Sequence, residues 1–305
     1  MGQKEKNKFK EYVSCNLCNS DSAKSVMKIN GFNIVKCRKC GLIYVNPRLK
    51  FERLEQIYNN WAYFQNISFK DPKYTFYGYE NYLEDKDDII KTFARRLKVI
   101  EKYKKKGKLL DVGCGPGFFL ELASGQGWQA QGVEISKKAS DYARTNQKAP
   151  VFNGTIEGFK CKDGSFDVIT IFDVIEHLPD PKKALLRINK LLKSNGLIVV
   201  TTPNIGSLCA KILGARWEEV QRVREHIYYF SGKTLKDMLE LTGFEVLKTE
   251  SAGRVFSVKS AIGRLNMYNQ FLSRNLGKAA DFLNLNNSKI YIDPRYKITV
   301  YARKI

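Results

Sequence analysis

The sequence predicts an α/β protein: a doubly wound, seven-stranded, mostly parallel sheet with an antiparallel last strand, preceded by a small four-cysteine ribbon. Three observations predict it. After Gly107 short apolar strands alternate with amphipathic helices, the rhythm of a sheet covered on both faces. The first of these strands runs into the glycine-rich turn Gly113-Cys114-Gly115-Pro116-Gly117. Two CxxC pairs, Cys15/Cys18 and Cys37/Cys40, stand ahead of all this.

Residues 1 to about 10 are Lys-rich and read as a solvated arm. Between the CxxC pairs lie 18 residues with β-prone pieces at Val26 to Ile29 and Phe32 to Lys36, so two knuckles on hairpins can converge on one tetrahedral zinc. Two hairpins of this size have little core of their own. The metal is therefore expected to supply folding free energy, as a structural ion in a module spanning 1–48.

Residues 49–106 form the second expected unit, a helical connector. A short helix is predicted from Leu49 to about Tyr58, followed by a run dense in Tyr, Phe and Trp up to Tyr82, which packs a connector or covers a pocket. Ile89, Ile90, Phe93, Leu97 and Ile100 recur at helical spacing and predict a long amphipathic helix over 84–105. The cluster Lys102 to Lys108 that closes it reads as a solvated helix end, with cations favourable at the C-terminus.

The third unit, 107–305, carries the sheet. Its strands are expected at Lys108 to Val112, Gln129 to Glu134, Val151 to Asn153, Phe166 to Phe172, Gly196 to Thr201, Glu245 to Glu250 and Tyr296 to Ala302. The last two are separated by about 45 residues with two weak helices, which predicts an antiparallel edge pair with an insertion. Helix starts are marked at Ser231 with Thr234, an ordinary capping pair.

The glycine turn identifies the ligand end of the sheet, because glycine alone accepts its backbone angles and lets a ligand approach the main chain. The spacing is GxGxG with Asp111 two positions ahead, unlike the GxGxxG of pyrophosphate-binding turns. Glu134 ends the next strand 21 residues after Gly113, where an acidic side chain accepts hydrogen bonds from ribose hydroxyls in a Rossmann-like fold.

DVGCGPG, with GVEIS, FDVITIFDVIEHLPDP and GLIVVTTPN after it, resembles the class I S-adenosylmethionine-dependent methyltransferases over about residues 75 to 305. The likeness is to the group that includes the ubiquinone-biosynthesis O-methyltransferases and many small-molecule and glycan-cluster enzymes. It implies S-adenosyl-L-methionine as cofactor. Asp111, Gly113, Cys114, Gly115 and Gly117 would then line its methionine part, Glu134 would bind the ribose and Ile135 would flank the adenine. Where relatives carry an Asp after the third strand this chain has Thr155 and Ile156, and Asp173 would touch the methionine end.

Methyl transfer to a hydroxyl needs a proton acceptor. The chain has two histidines, His177 and His226, both after strand-like segments, and both are catalytic candidates. Tyr228, Tyr229 and Asn204 are expected to wall the acceptor pocket. Cys161 and Cys209 are expected to be small buried residues.

The balance of 52 basic against 31 acidic residues gives a net charge of +21, which favours anionic partners. A small-molecule acceptor, anionic or nucleotide-linked, is the first expectation; RNA is the alternative, and a non-catalytic binding protein is disfavoured by the intact glycine turn. No apolar run is long enough to span a membrane and no signal core opens the chain, so a cytoplasmic protein is expected.

Overall fold

The computed structural model describes residues 9–58, 83, 85–265 and 269–305. The aromatic-rich stretch singled out in the sequence lies outside the described residues except for Tyr58. Among the described residues no helix is long and apolar enough to cross a membrane.

The chain opens with strands β1 (Lys10–Glu11), β2 (Ala23–Ile29), β3 (Phe32–Cys37), β4 (Ile43–Val45) and β5 (Arg48–Leu49), then helices α1 (Phe51–Tyr58) and α2 (Lys86–Tyr103). The larger part contains β6 (Lys108–Val112), α3 (Phe118–Gly125), β7 (Gln129–Glu134), α4 (Lys137–Asn146), β8 (Val151–Asn153), β9 (Phe166–Phe172), α5 (Pro181–Leu191) and β10 (Leu192–Pro203). Next come α6 (Leu208–Leu213), α7 (Glu218–Gln221), β11 (Tyr228–Tyr229), α8 (Gly232–Leu241) and β12 (Phe244–Ser251). It closes with β13 (Arg254–Ser257), α9 (Val258–Leu265), α10 (Gln270–Phe282), β14 (Lys289–Ile292) and β15 (Lys297–Lys304).

The main sheet has seven strands in the order β12-β15-β10-β9-β6-β7-β8. β6 to β10 run parallel to their neighbours, and β15 inserts antiparallel between β10 and β12. Strand order reverses between β6 and β9, and ligands bind at such a switch point outside the carboxyl ends of the strands. The central strands are buried on both faces: Leu109, Leu110, Ile169, Ile171, Ile198 and Val200 are each fully enclosed. Burying each such side chain contributes roughly 1.5–3 kcal/mol, so the strand that carries the glycine turn is firmly held by its neighbours.

Local chemistry sets the helix starts. Pro181 opens α5 where its missing N–H costs nothing, and Asp180 caps it by accepting from Lys183 N at 2.9 Å. Ser231 and Thr234 form a reciprocal capping box on α8, as their spacing predicts.

Two features depart from the sequence reading. The insertion between β12 and β15 carries the two expected helices and also an unforeseen hairpin, β13 with β14. The cysteine segment, expected as a module of its own, extends its sheet into the larger part: the order β11-β4-β3-β2 pairs Tyr228 with Tyr44 and Tyr229 with Ile43. Cys15, Leu17, Cys37 and Leu42 share one apolar core with Ile227, Phe230 and Leu235. A boundary at residue 48 therefore cuts through a continuous sheet and core.

Candidate active site and metal centre

β6 delivers its carboxyl end into the turn at Gly113, whose φ of +73° is open to glycine but strained for other residues. A methyl group there would also overlap the Val174 side chain. Gly113→Ala is expected to destabilise the fold by about 1–3 kcal/mol through strain and overpacking. Thermal melting with and without S-adenosylhomocysteine would register this; an unchanged melt would refute the close-packed geometry. Gly117 caps α3 at φ +82°, with Ala143 in the way of any side chain.

Glu134 is buried, and its carboxylate ties the turn to the second strand. Oε2 accepts from Gly115 N and Oε1 from Ser136 N, both at 2.8 Å. Burial raises its pKa, against the backbone donors that favour the charged form. Each oxygen keeps a lone pair for an incoming hydroxyl. Asp111 turns away: it lies at 4 % exposure with Oδ1 accepting from Thr170 Oγ1 at 2.6 Å, and burial pushes its pKa up to about 7.

A cavity of about 520 Å³ opens at the switch point. Its lining includes Gly113, Gly115, Glu134, Ile135, Thr155 and Ile156. The same cavity is lined by Tyr58, Asp173, Glu176, His177, Arg222, Arg254 and Lys297. Asp111, Cys114 and Gly117 are absent from its lining; Cys114 packs beneath the turn against Gly132.

Asp173 follows β9 at φ +57°, a conformation uncommon outside glycine and held here by its surroundings. Burial alone would raise its pKa, but Lys297, Arg254 and Arg96 outweigh it and hold the carboxyl well below the usual range. Lys297 Nζ lies 2.8 Å and Arg254 3.5 Å from its oxygens.

His177 stands on the following 3₁₀ turn, Ile175 to His177. Its Nδ1 is 3.0 Å from the Glu225 carbonyl and 2.9 Å from the Tyr58 hydroxyl. A carbonyl only accepts, so Nδ1 carries the hydrogen and Nε2 the lone pair. Burial, reinforced by Arg222, lowers its pKa to about 3, keeping the imidazole neutral.

His226 lies behind His177, edge-on with ring centroids 4.6 Å apart, and does not line the cavity. It is 1 % exposed, with Nδ1 3.4 Å from the buried Glu219 carboxylate. Glu176 completes the group: Oε2 accepts from Thr202 Oγ1 at 2.9 Å, and burial followed by the Asp173 charge raises its pKa to about 8. Glu176, His177 and His226 bring one titratable atom each within 4.8 Å of one another.

The other expected wall residues serve elsewhere. Tyr228 and Tyr229 are buried in β11, with Tyr228 Oη donating to the Pro179 carbonyl at 3.2 Å. Asn204 Oδ1 accepts from Gly206 N, closing a turn after β10. Cys161 and Cys209 are half-buried, not enclosed. Arg222, Arg254 and Lys297 were missed, since each comes from a separate piece of chain with no motif around it.

The four cysteines converge at the N-terminal end. Cys15 and Cys40 Sγ atoms lie 3.4 Å apart, Cys18 and Cys37 3.5 Å, and all four sulfurs are mutually within 4.8 Å. Four thiolates at about 2.3 Å around a tetrahedral zinc stand roughly 3.8 Å apart, so the donor set and spacing fit that ion. Burial works against ionising Cys37, yet backbone donors at Cys40 and Lys39 bring its pKa down to about 6.

A family model described as a methyltransferase domain matches residues 79–249, more than half the chain. The chain belongs to that family. It is 31 % identical over 118 residues to a ubiquinone biosynthesis O-methyltransferase of Thiobacillus denitrificans, an alignment covering 36 % of this chain and 51 % of that protein. The matched part thus spans about half of the relative's length. Among solved structures, a SAM-dependent methyltransferase from Thermotoga maritima superposes with TM-score 0.50 at 18 % identity, covering 84 % of this chain and 98 % of that one. The PH0226 protein of Pyrococcus horikoshii superposes with TM-score 0.51 at 16 % identity, covering 82 % and 99 %. These two likenesses concern the fold. In this methyltransferase domain the family match covers the glycine turn, Glu134, Asp173, His177 and His226 but ends before Arg254 and Lys297.

Proposed function

We propose that this chain is an S-adenosylmethionine-dependent methyltransferase acting on an oxygen, or a carbon, of a small molecule such as a sugar, glycan precursor or secondary metabolite. The observation that carries the reading is the single cavity joining the glycine turn and Glu134 to the neutral His177. Its volume falls within the usual range of roughly 300–1,000 Å³ for small-molecule pockets.

When bound, the cofactor supplies an electrophilic methyl group on a sulfonium, a good leaving group that needs no acid. Glu134 holds the ribose hydroxyls with its remaining lone pairs, while Ile135, Thr155 and Ile156 flank the adenine. Gly113 and Gly115 admit the methionine part to the backbone. His177 takes the acceptor's proton on Nε2, with Nδ1–H held by the Glu225 carbonyl. His226 acts through His177, against which it packs.

Lys297, Arg254 and Arg96 gather around Asp173, and these cations beside the cavity suit an anionic or nucleotide-linked acceptor. RNA is the second reading, favoured by the net charge of +21. Methyl incorporation from labelled cofactor into nucleotide sugars, compared with total RNA, separates the two. Zinc is assigned a structural role at Cys15, Cys18, Cys37 and Cys40, since all four ligands come from protein and leave no open position.

Calorimetric titration with S-adenosylhomocysteine tests the cofactor. Glu134→Ala loses the ribose contacts, one tie to the turn and one to Ser136, and its affinity is expected to fall by roughly two to four powers of ten, on the order of two hydrogen bonds to a charged group. Wild-type protein that fails to bind would overturn the proposal.

A further inference from the structure

The insertion between β12 and β15 presents an apolar face outward. Its root is anchored on α2: Val255 N donates to Thr92 Oγ1 at 2.8 Å, Ser257 N donates to Asp88 Oδ2 at 2.7 Å, and Lys289 pairs with Asp88. Farther out, α10 is tied to α9 by Ser273 Oγ donating to the Ile262 carbonyl at 2.9 Å. Ser273 and Ala280 are the buried side chains of α10, both small and seven residues apart on one side.

A surface helix normally turns its large apolar residues inward. Here two phenylalanines turn outward instead. At about 100° per residue, Phe271 and Phe282 fall opposite Ser273 and Ala280, while Leu272 and Leu276 lie on the flank between the two sides and remain part-exposed. Phe271 is 78 % exposed and Phe282 86 % exposed. Arg274 and Lys278 lie one turn apart along the flank of this face, both exposed, with no ion pair among the described residues.

We propose that α10 and the turn after it dock onto an anionic lipid bilayer, with Phe271 and Phe282 buried at the headgroup boundary and Arg274 and Lys278 against the lipid charges. Charge selects this occupant over a second copy of the chain. Each copy carries +21, and on the flank Arg274 and Lys278 outnumber Asp281, so two such faces repel, whereas a negatively charged interface attracts both the cations and the whole protein. Apolar side chains flanked by cations on one face are the composition that holds a helix in the plane of a bilayer surface. The inference is independent of the methyl-transfer reading.

Sedimentation of the full chain with vesicles tests it. Vesicles of phosphatidylcholine containing about one-third phosphatidylglycerol should bind the protein, and phosphatidylcholine alone should bind it on the order of tenfold more weakly. The variant Phe271→Ser/Phe282→Ser should lower binding to the anionic vesicles by on the order of tenfold, and Arg274→Glu/Lys278→Glu should do the same. Both variants should melt and bind S-adenosylhomocysteine as the wild type does. No wild-type binding to anionic vesicles would overturn the proposal. So would binding that survives both pairs of substitutions, which would show adsorption through the general charge, and so would a dimer abolished by Phe271→Ser/Phe282→Ser without vesicle binding.

Discussion

Substituting His177 by alanine is expected to lower turnover by roughly two to four powers of ten, the span of general-base catalysis, while leaving affinity for S-adenosylhomocysteine nearly intact. The separation follows from the division of roles. His177 lines the cavity as the proposed base for the acceptor, whereas the cofactor contacts are assigned to Glu134 and the glycine turn. The imidazole is held neutral down to about pH 3 by burial and by Arg222, so the acid limb of the kcat profile should lie well below the 6.5 of a free imidazole. Steady-state kinetics across pH on wild type and variant would measure both effects. Unchanged turnover would make His177 a packing residue, and an acid limb near 6.5 would show a far more solvated ring.

The same group has a consequence for stability, and its signs oppose. The folded pKa of His177 is below its unfolded value, so its contribution is complete above about 6.5 and is lost as pH falls toward about 3. Glu176 has the reverse shift: its contribution is present below 4.5 and is lost as pH rises through about 8. Between pH 4.5 and 6.5 the two partly offset each other.

The second large effect concerns metal. The purified protein is expected to contain one zinc, and chelation is expected to unfold residues 12 to 46. Apparent zinc-binding free energies of about 10–16 kcal/mol in small modules equal or exceed the stability of a whole domain, so a segment this small does not survive the loss. The shared sheet carries the damage further. β11 loses its partner strand, and Arg48, which donates to the Pro179 carbonyl at 2.7 Å and to Tyr228 Oη at 3.0 Å, lets go of the loop after His177. Chelated protein should therefore keep its cofactor affinity and lose acceptor turnover. Metal analysis with hydrogen exchange would check this; a metal-free protein whose residues 23–45 stay protected would refute it.

The elements legible in the sequence are those whose burial is local to the chain. Lys108 to Val112, Gln129 to Glu134, Val151 to Asn153 and Phe166 to Phe172 were placed to the residue, because β-prone runs framed by Gly, Pro or Ser have few alternatives. β10 begins four residues before the expected Gly196, since Leu192 already pairs with Phe166 ahead of a register shift. β11 gave no signal: two tyrosines become a strand only through a partner nearly two hundred residues away. β13 and β14 are four residues each, separated by two helices, and their pairing is equally long-range.

The site divides the same way. Glu134, Asp173 and His177 follow strands of a recognisable order and could be found from it. The cations beside the cavity could not, because Arg222, Arg254 and Lys297 converge only after the insertion has folded back on α2.

The strand contributed by Tyr228 and Tyr229 bears on protein engineering. The cysteine segment is not a cassette to be moved between scaffolds: a chimera that exchanges residues 1–48 alone would leave β11 facing a foreign edge and Arg48 without its two acceptors. A transplant has to carry the stretch around 226–230 with it, and because that stretch packs on His177, grafting the module also redesigns the pocket.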